Sequence, residues 1–156
     1  MTETTLSFTR QIAASANSIY RCWTEPALLE QWFAPAPVRV TDAVIEPFTG
    51  GRFDSTMHIP GMDEPMVGEG TVLIAEPNKR FAFTNMMRAT FQPNDFSAGG
   101  FAFTAEITMT ATDTGCTYTV TARHIDAKAA AAHEEMGFYT GWGTAADQME
   151  ALAKTL

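Results

Sequence analysis

The stretch Ala127–Leu156 reads AKAAAAHEEMGFYTGWGTAADQMEALAKTL, and its reading decides the fold. Alanine, glutamate, methionine, leucine and lysine favour helix, and no proline interrupts them. Tyr139, Trp142, Ala145, Ala146, Met149, Leu152, Ala153 and Leu156 recur at steps of three and four, which places them on one apolar stripe. Gly137, Gly141 and Gly143 each weaken a helix interior by about 1 kcal/mol against alanine. A face bearing these glycines beside Phe138, Tyr139 and Trp142 suits a helix that another group approaches closely, either a packed strand or a ligand. One long helix is therefore expected to the C-terminus.

Upstream of this helix the pattern is that of a sheet. Leu6–Ile12 alternates Leu6, Phe8 and Ile12 inward, with Arg10 the polar exception on the inward face. Ser15 or Asn17 caps a short helix through Thr24, and Pro26 opens a second one carrying Leu28, Leu29, Trp32 and Phe33. Strands follow at 38–47, 52–59, 66–75, 80–88, 101–111 and 116–124, separated by Thr49-Gly50-Gly51, Pro60-Gly61, Glu76-Pro77-Asn78-Lys79 and Asp113-Thr114-Gly115. Gly68 and Gly70 mark a bulge or a sharp bend. Residues 89–100 have no period. A segment of that length in a compact domain is often functional, and its Phe91 and Phe96 offer either a homodimer contact or a lid. Hairpin-length connections predict an antiparallel sheet with one apolar and one threonine-rich face, covered by helices on the apolar side only. The fold class is thus α+β: a strongly curved antiparallel sheet of six or seven strands wrapped on a long C-terminal helix, with two short helices after the first strand, in one domain over 1–156.

Composition narrows the function. A net charge of −8, without a basic run, argues against nucleic acid and against anionic membrane surfaces. No apolar run reaches the length of a membrane span and no leader pattern opens the chain, so a cytoplasmic protein is expected. Cys22 and Cys116 are distant and without metal spacing, and are expected to be buried free thiols. There is no Ser-His-Asp signature, phosphate-binding loop, dinucleotide fingerprint or CxxC pair, and no cofactor or metal is expected.

The order of elements resembles the helix-grip fold of the START-like (SRPBCC) superfamily, and within it the activator-of-Hsp90-ATPase homologue group, which is also grouped with polyketide cyclase-like proteins. The resemblance rests on Arg10–Ala14 followed by Ile19–Pro26 and Leu29–Phe33, on Glu46–Phe53 as an acidic, double-glycine, aromatic hairpin, on Gly70–Phe81, and on His133–Trp142 at the start of the closing helix. Where the family often carries Asp with a nearby Arg before the double glycine, this chain has Glu46 and Phe48. The resemblance covers nearly the whole chain. It implies a cavity between curved sheet and helix, and relatives that include hydrophobic-ligand binders, cyclases and an Hsp90 co-chaperone.

Eleven phenylalanines and nine methionines suit a large, adaptable apolar interior. The expected ligand-lining set is Trp32, Met57, Phe81, Phe83, Asn85, Met87, Phe101, Phe103, Tyr118, Met136, Tyr139 and Trp142, with Asn85 placed to orient a ligand carbonyl or to bond backbone. The expected partner is an apolar or aromatic small molecule. Two alternatives stand beside it: a cyclase or aldol-type enzyme using His124 and Tyr118 as acid and base, and a co-chaperone of Hsp90. His58 is expected to be exposed, and His133 to belong to a surface charge pattern with Glu134 and Glu135.

Overall fold

The computed structural model describes residues 3–156. Its elements are β1 (Thr5–Ile12), α1 (Ala16–Thr24), α2 (Pro26–Leu29), β2 (Arg39–Ile45), β3 (Arg52–His58), β4 (Met66–Glu76), β5 (Arg80–Thr84), the two-residue strands β6 (Met87–Arg88) and β7 (Gln92–Pro93), β8 (Phe103–Thr112), β9 (Gly115–His124), α3 (Ala127–Glu135) and α4 (Phe138–Ala153). Seven strands form one antiparallel sheet in the order β1-β9-β8-β5-β4-β3-β2. Register shifts between Thr41 and Val44 and between Val72 and Ile74 add local twist and bend the sheet.

The strand parities place the core as expected. Cys116, Tyr118, Val120, Ala122 and His124 of β9 are buried, as are Ala105, Ile107 and Met109 of β8. The opposite face near β1 is polar and open to solvent. There Ser7 pairs with Thr121, Thr9 with Thr119, and Thr117 donates to Gln11.

The helices lie on the apolar side. Ser15 Oγ accepts from the Ser18 backbone N–H and caps α1. Ile19, Cys22 and Trp23, spaced at three and four, then face the sheet, all of them sealed from solvent. Trp23 occupies the centre of the concave face. Its ring centroid lies 4.9–6.4 Å from those of Trp32, Phe33, Phe53, Phe81, Phe83 and Trp142, and its Nε1–H donates to Tyr118 Oη at 3.1 Å.

The C-terminal stretch differs from one continuous helix. Gly137 has φ of +99° and divides it into α3 and α4; a left-handed residue is favourable for glycine and unfavourable for residues bearing a Cβ. The break rotates the phase, so that Phe138 is buried while Tyr139 is 44% exposed. Gly143 is the glycine that something approaches closely, because a Cβ there would lie 2.6 Å from the Arg10 guanidinium. Arg10 thus reaches beneath α4 and pairs with Asp147. Two further ties hold α4 in place. Glu150 accepts from the Ala13 backbone at 2.7 Å. Gln148 donates to the carbonyls of Trp32 and Ala34 and accepts from the Ala36 N–H.

The strand expected over 80–88 stops at Thr84. Residues 87–93 instead form a small ribbon on the outer side of β4, where Thr71 Oγ1 donates to the Arg88 carbonyl at 3.0 Å. Among the described residues no helix is long and apolar enough to cross a membrane.

Replacing Tyr118 by Phe removes the acceptor of a fully buried indole N–H, and is expected to lower unfolding stability by about 1–3 kcal/mol. Urea unfolding followed by tryptophan fluorescence measures this loss.

Candidate functional site

The concave centre, where a ligand cavity was expected, is packed with side chains. Trp32, Phe81 and Phe83 are buried against Trp23 rather than lining open space. Trp23 itself is absent from the set expected to line the cavity. Its phase with Ile19 and Cys22 was the available signal that it points inward.

Tyr118 also belongs to this packed centre. Burial is the largest influence on its phenol and raises its pKa well above the ordinary value, against a smaller opposing effect from the Trp23 hydrogen bond. His124 lies six residues further along β9, about 20 Å away at the rise of a strand. The acid–base pairing of His124 with Tyr118 is therefore corrected: the two residues do not meet in one cavity.

His124 instead meets His133. Its Nε2 lies 2.9 Å from His133 Nδ1, and its Nδ1 lies 2.9 Å from the Thr4 carbonyl oxygen. The carbonyl can only accept, so His124 carries its proton on Nδ1. In the neutral pair, His124 Nε2 then accepts from His133 Nδ1–H, which leaves His133 Nε2 as a bare acceptor. His133 is only 7% exposed, which corrects its expected place on the surface. Residues Ala130 and His133 share the inner face of α3, and this face docks on β9 and β1. The sequence hides the placement because HEE reads as a charged helix turn, and only the helix break at Gly137 fixes which face turns in. Burial is the larger cause, and the neighbouring His124 the smaller, of a His133 pKa lowered to about 4.

Aromatic rings enclose the histidine pair. Ring centroids of Phe101 and Phe103 both lie 4.8 Å from that of His133, Phe138 lies at 5.0 Å and Trp142 at 6.3 Å. Asn85 fixes two of these rings. Its Nδ2 donates to the Phe101 carbonyl at 3.1 Å and its Oδ1 accepts from the Phe103 N–H at 2.8 Å. Both ends of this amide hold backbone, so Asn85 is a positioning residue.

A groove of about 370 Å³ opens beside this cluster, between the 96–102 segment and α3. Phe96, Phe101, Ile125, Ala129 and Ala132 give it apolar walls, with Asp126 and Lys128 also lining it. Phe101 belongs to both the groove and the ring cluster. A second depression of about 290 Å³ lies at the opposite end of the chain's sheet order, lined by Arg39, His58, Met62 and Asp63 among others. His58 is half-buried rather than exposed, bonded to Thr41 Oγ1 at 2.8 Å.

The remaining expected ligand contacts scatter. Met57 is half-buried on β3 opposite Val40 and Met66. Met87 sits in the outer ribbon. Met136 is 74% exposed, because it caps the end of α3 just before the break. Of the expected set, Phe101, Phe103, Trp142 and Asn85 converge on one place. Both cysteines are buried and free, and burial raises the Cys22 thiol to about 11. Among the described residues no group of three metal-ligating side chains comes together.

A bent antiparallel sheet, two short helices inserted after its first strand and a C-terminal helix across its concave face define a START-like, helix-grip protein. A family model described as activator of Hsp90 ATPase homolog 1-like protein matches residues 13–154, and the chain belongs to that family. A crystal structure of a Nitrosomonas europaea protein is 32% identical, with a TM-score of 0.91 over 97% of this chain and 95% of that one. A Mycobacterium smegmatis protein is 25% identical, with a TM-score of 0.78 over 96% and 90% of the two chains. A Rhodobacter sphaeroides protein, 21% identical with a TM-score of 0.82 over 98% and 94%, shares the fold. No match was found among curated proteins.

The His133 shift carries a pH dependence with a definite sign. An unfolded histidine takes up its proton near pH 6.5, whereas the folded one does so only near 4. Between these values the unfolded chain binds more protons. The contribution is therefore fully present above pH 6.5 and is lost as pH falls towards 4. Denaturation midpoints measured at pH 7 and pH 4.5 are expected to drop less in His133→Phe than in the parent protein.

Proposed function

We propose that this protein binds an apolar or aromatic small molecule in the groove between the 96–102 segment and α3, against the aromatic cluster of Phe101, Phe103 and Trp142. The carrying observation is the coincidence of apolar groove walls with a shared residue, Phe101, that leads to a buried ring cluster. Such a site takes its affinity from area buried, at about 25 cal/mol per Å² before the costs of association. The reading moves the ligand from the centre of the concave face, where Trp23 stands, to its His133 end. A cytoplasmic location agrees with two buried thiols left unpaired.

The family description supports a second reading, stimulation of an Hsp90 ATPase. Unchanged ATPase turnover on addition of this protein would remove it.

The binding reading is tested with 2-methoxynaphthalene as an apolar probe, titrated by calorimetry into the parent protein and into Ala129→Trp. Ala129 is a half-buried groove residue on α3, so the larger ring fills the groove and leaves the packed centre untouched. Binding to the parent and a loss of about tenfold or more in the variant are expected, with the melting temperature nearly unchanged. Equal binding by both proteins would place the probe elsewhere, and no binding to the parent would end the reading.

A further inference from the structure

α3 forms one wall of the groove, through Asp126, Lys128, Ala129 and Ala132, and the 96–102 segment forms the other. Little holds the α3 wall in place. The helix is nine residues long and buries only Ala130 and His133. A helix this short is marginal by itself and depends on its docking. Among the described residues, the His133–His124 bond is the one hydrogen bond that ties α3 to the sheet. His133 also bears on the opposite wall, since its ring centroid lies 4.8 Å from that of Phe101. Just beyond α3, Gly137 has φ of +99° and nothing within 4 Å of where a Cβ would stand, which leaves room for a hinge.

The protons of this bond are fixed. The Thr4 carbonyl takes the proton of His124 Nδ1, and His124 Nε2 accepts from His133 Nδ1–H. While the bond stands, a further proton can enter only at His133 Nε2. It would put a positive charge among the rings of Phe101, Phe103, Phe138 and Trp142. The charged groups of the surrounding elements do not offset it. On β9, Arg123 lies on the opposite face and pairs with Glu106. On β1, Arg10 pairs with Asp147 of α4, and Glu3 ahead of the strand is exposed. On α4, Glu150 is bonded to the Ala13 backbone and Tyr139 is exposed. On α3 itself, Lys128, Glu134 and Glu135 are exposed and Asp126 caps the helix. The one neighbouring charge that acts on His133 is that of His124, and it acts in the same direction as burial. Released from the sheet, the imidazole is hydrated and ionises as an ordinary histidine.

We propose that the His124–His133 bond is an acid-released latch on the groove: with both rings neutral it holds α3 in place as a wall, and proton uptake at His133 frees α3 and with it the bound ligand. The proton comes from solvent and no covalent bond changes. The sign follows from the two states. Docked, His133 takes up its proton only near pH 4; released, it does so near 6.5. Between these values the released form binds more protons, so acid favours release and the latch is fully held above pH 6.5. From pH 7 to pH 4.5 the release equilibrium shifts by about fiftyfold. The proposal rests on the binding reading above and adds to it the regulation of that site.

The test uses 2-methoxynaphthalene, which has no titrating group, so that any change of affinity with pH belongs to the protein. Calorimetry on the parent protein is expected to show an affinity about tenfold lower at pH 4.5 than at pH 7. His133→Phe, which keeps a ring of similar size and cannot take up a proton, is expected to bind equally at both. In the unliganded parent, amide protection of residues 130–135, corrected for the pH dependence of free exchange, is expected to fall at pH 4.5 while that of Val120 in β9 is kept. Should the variant fold poorly, the parent's affinities and its amide protection decide alone. An unchanged affinity in the parent, a pH dependence that survives in His133→Phe, or a loss of protection that Val120 shares would overturn the latch while leaving the groove as a binding site. Failure of the probe to bind the parent at pH 7 would overturn the proposal and the binding reading together.

Discussion

The buried indole of Trp23 governs how space is distributed in this molecule. A curved sheet facing a helix leaves a hollow, and a hollow without ligand has a cost in lost contacts and exposed apolar surface. In this chain a tryptophan from α1 fills the middle of that hollow, ringed by Trp32, Phe33, Phe53, Phe81, Phe83 and Trp142. Its N–H is answered by Tyr118 from the floor of the sheet. Packing and polar satisfaction thus meet in one contact between the inserted helix and the most central part of the fold. The closing helix then needs only to cover this cluster. Arg10, Ala13 and the 32–36 segment tie it down through Asp147, Glu150 and Gln148.

With the centre filled, the buried histidines gather towards the end of β9. There the inward parity that makes Val120 and Ala122 core delivers His124, and the short helix α3 delivers His133 to meet it. The Gly137 break is what permits this. A single continuous helix would have carried His133 on the same straight axis as Met149, whereas the left-handed residue separates the face that docks His133 from the face that docks Phe138. Asn85, by bonding the backbone on both sides of Ala102, holds Phe101 and Phe103 against the histidines. The segment 89–100 divides between two places: Phe91 lies against Gly50 on the hairpin between β2 and β3, while Phe96 lines the groove beside α3.

The sheet was legible from the sequence because a period of two, turns rich in glycine and proline, and threonine on alternate positions all agree along β1, β8 and β9. The helix-grip architecture followed from that sheet and the amphipathic C-terminus, and the family motifs proved to be largely folding devices. Glu46, for instance, accepts the Arg52 backbone N–H and closes its hairpin. The site was much less legible. Parity correctly turned His124 inward but could not supply its partner, since Tyr118 shares that parity while lying about 20 Å away. Distance along a strand, rather than side, was the missing constraint. His133 and Tyr139 were misplaced for one reason, the change of helix phase at Gly137. Inward aromatics such as Trp32, Phe81 and Phe83 read identically whether they line a cavity or fill one; only three-dimensional packing separates the two.

The central claim is that Trp23 occupies the hollow and that ligands meet the protein at the His133 end. Chemical-shift mapping on isotope-labelled protein, with 2-methoxynaphthalene added, tests it most directly because the indole N–H of Trp23 and the backbone of α3 are read in one experiment. The account predicts shifts at Phe101, Ala129, Ala132 and His133, with the Trp23 indole N–H unmoved and slow to exchange. Large shifts at the Trp23 indole, Phe53 and Phe83, with α3 unperturbed, would contradict it and return the binding site to the centre of the sheet.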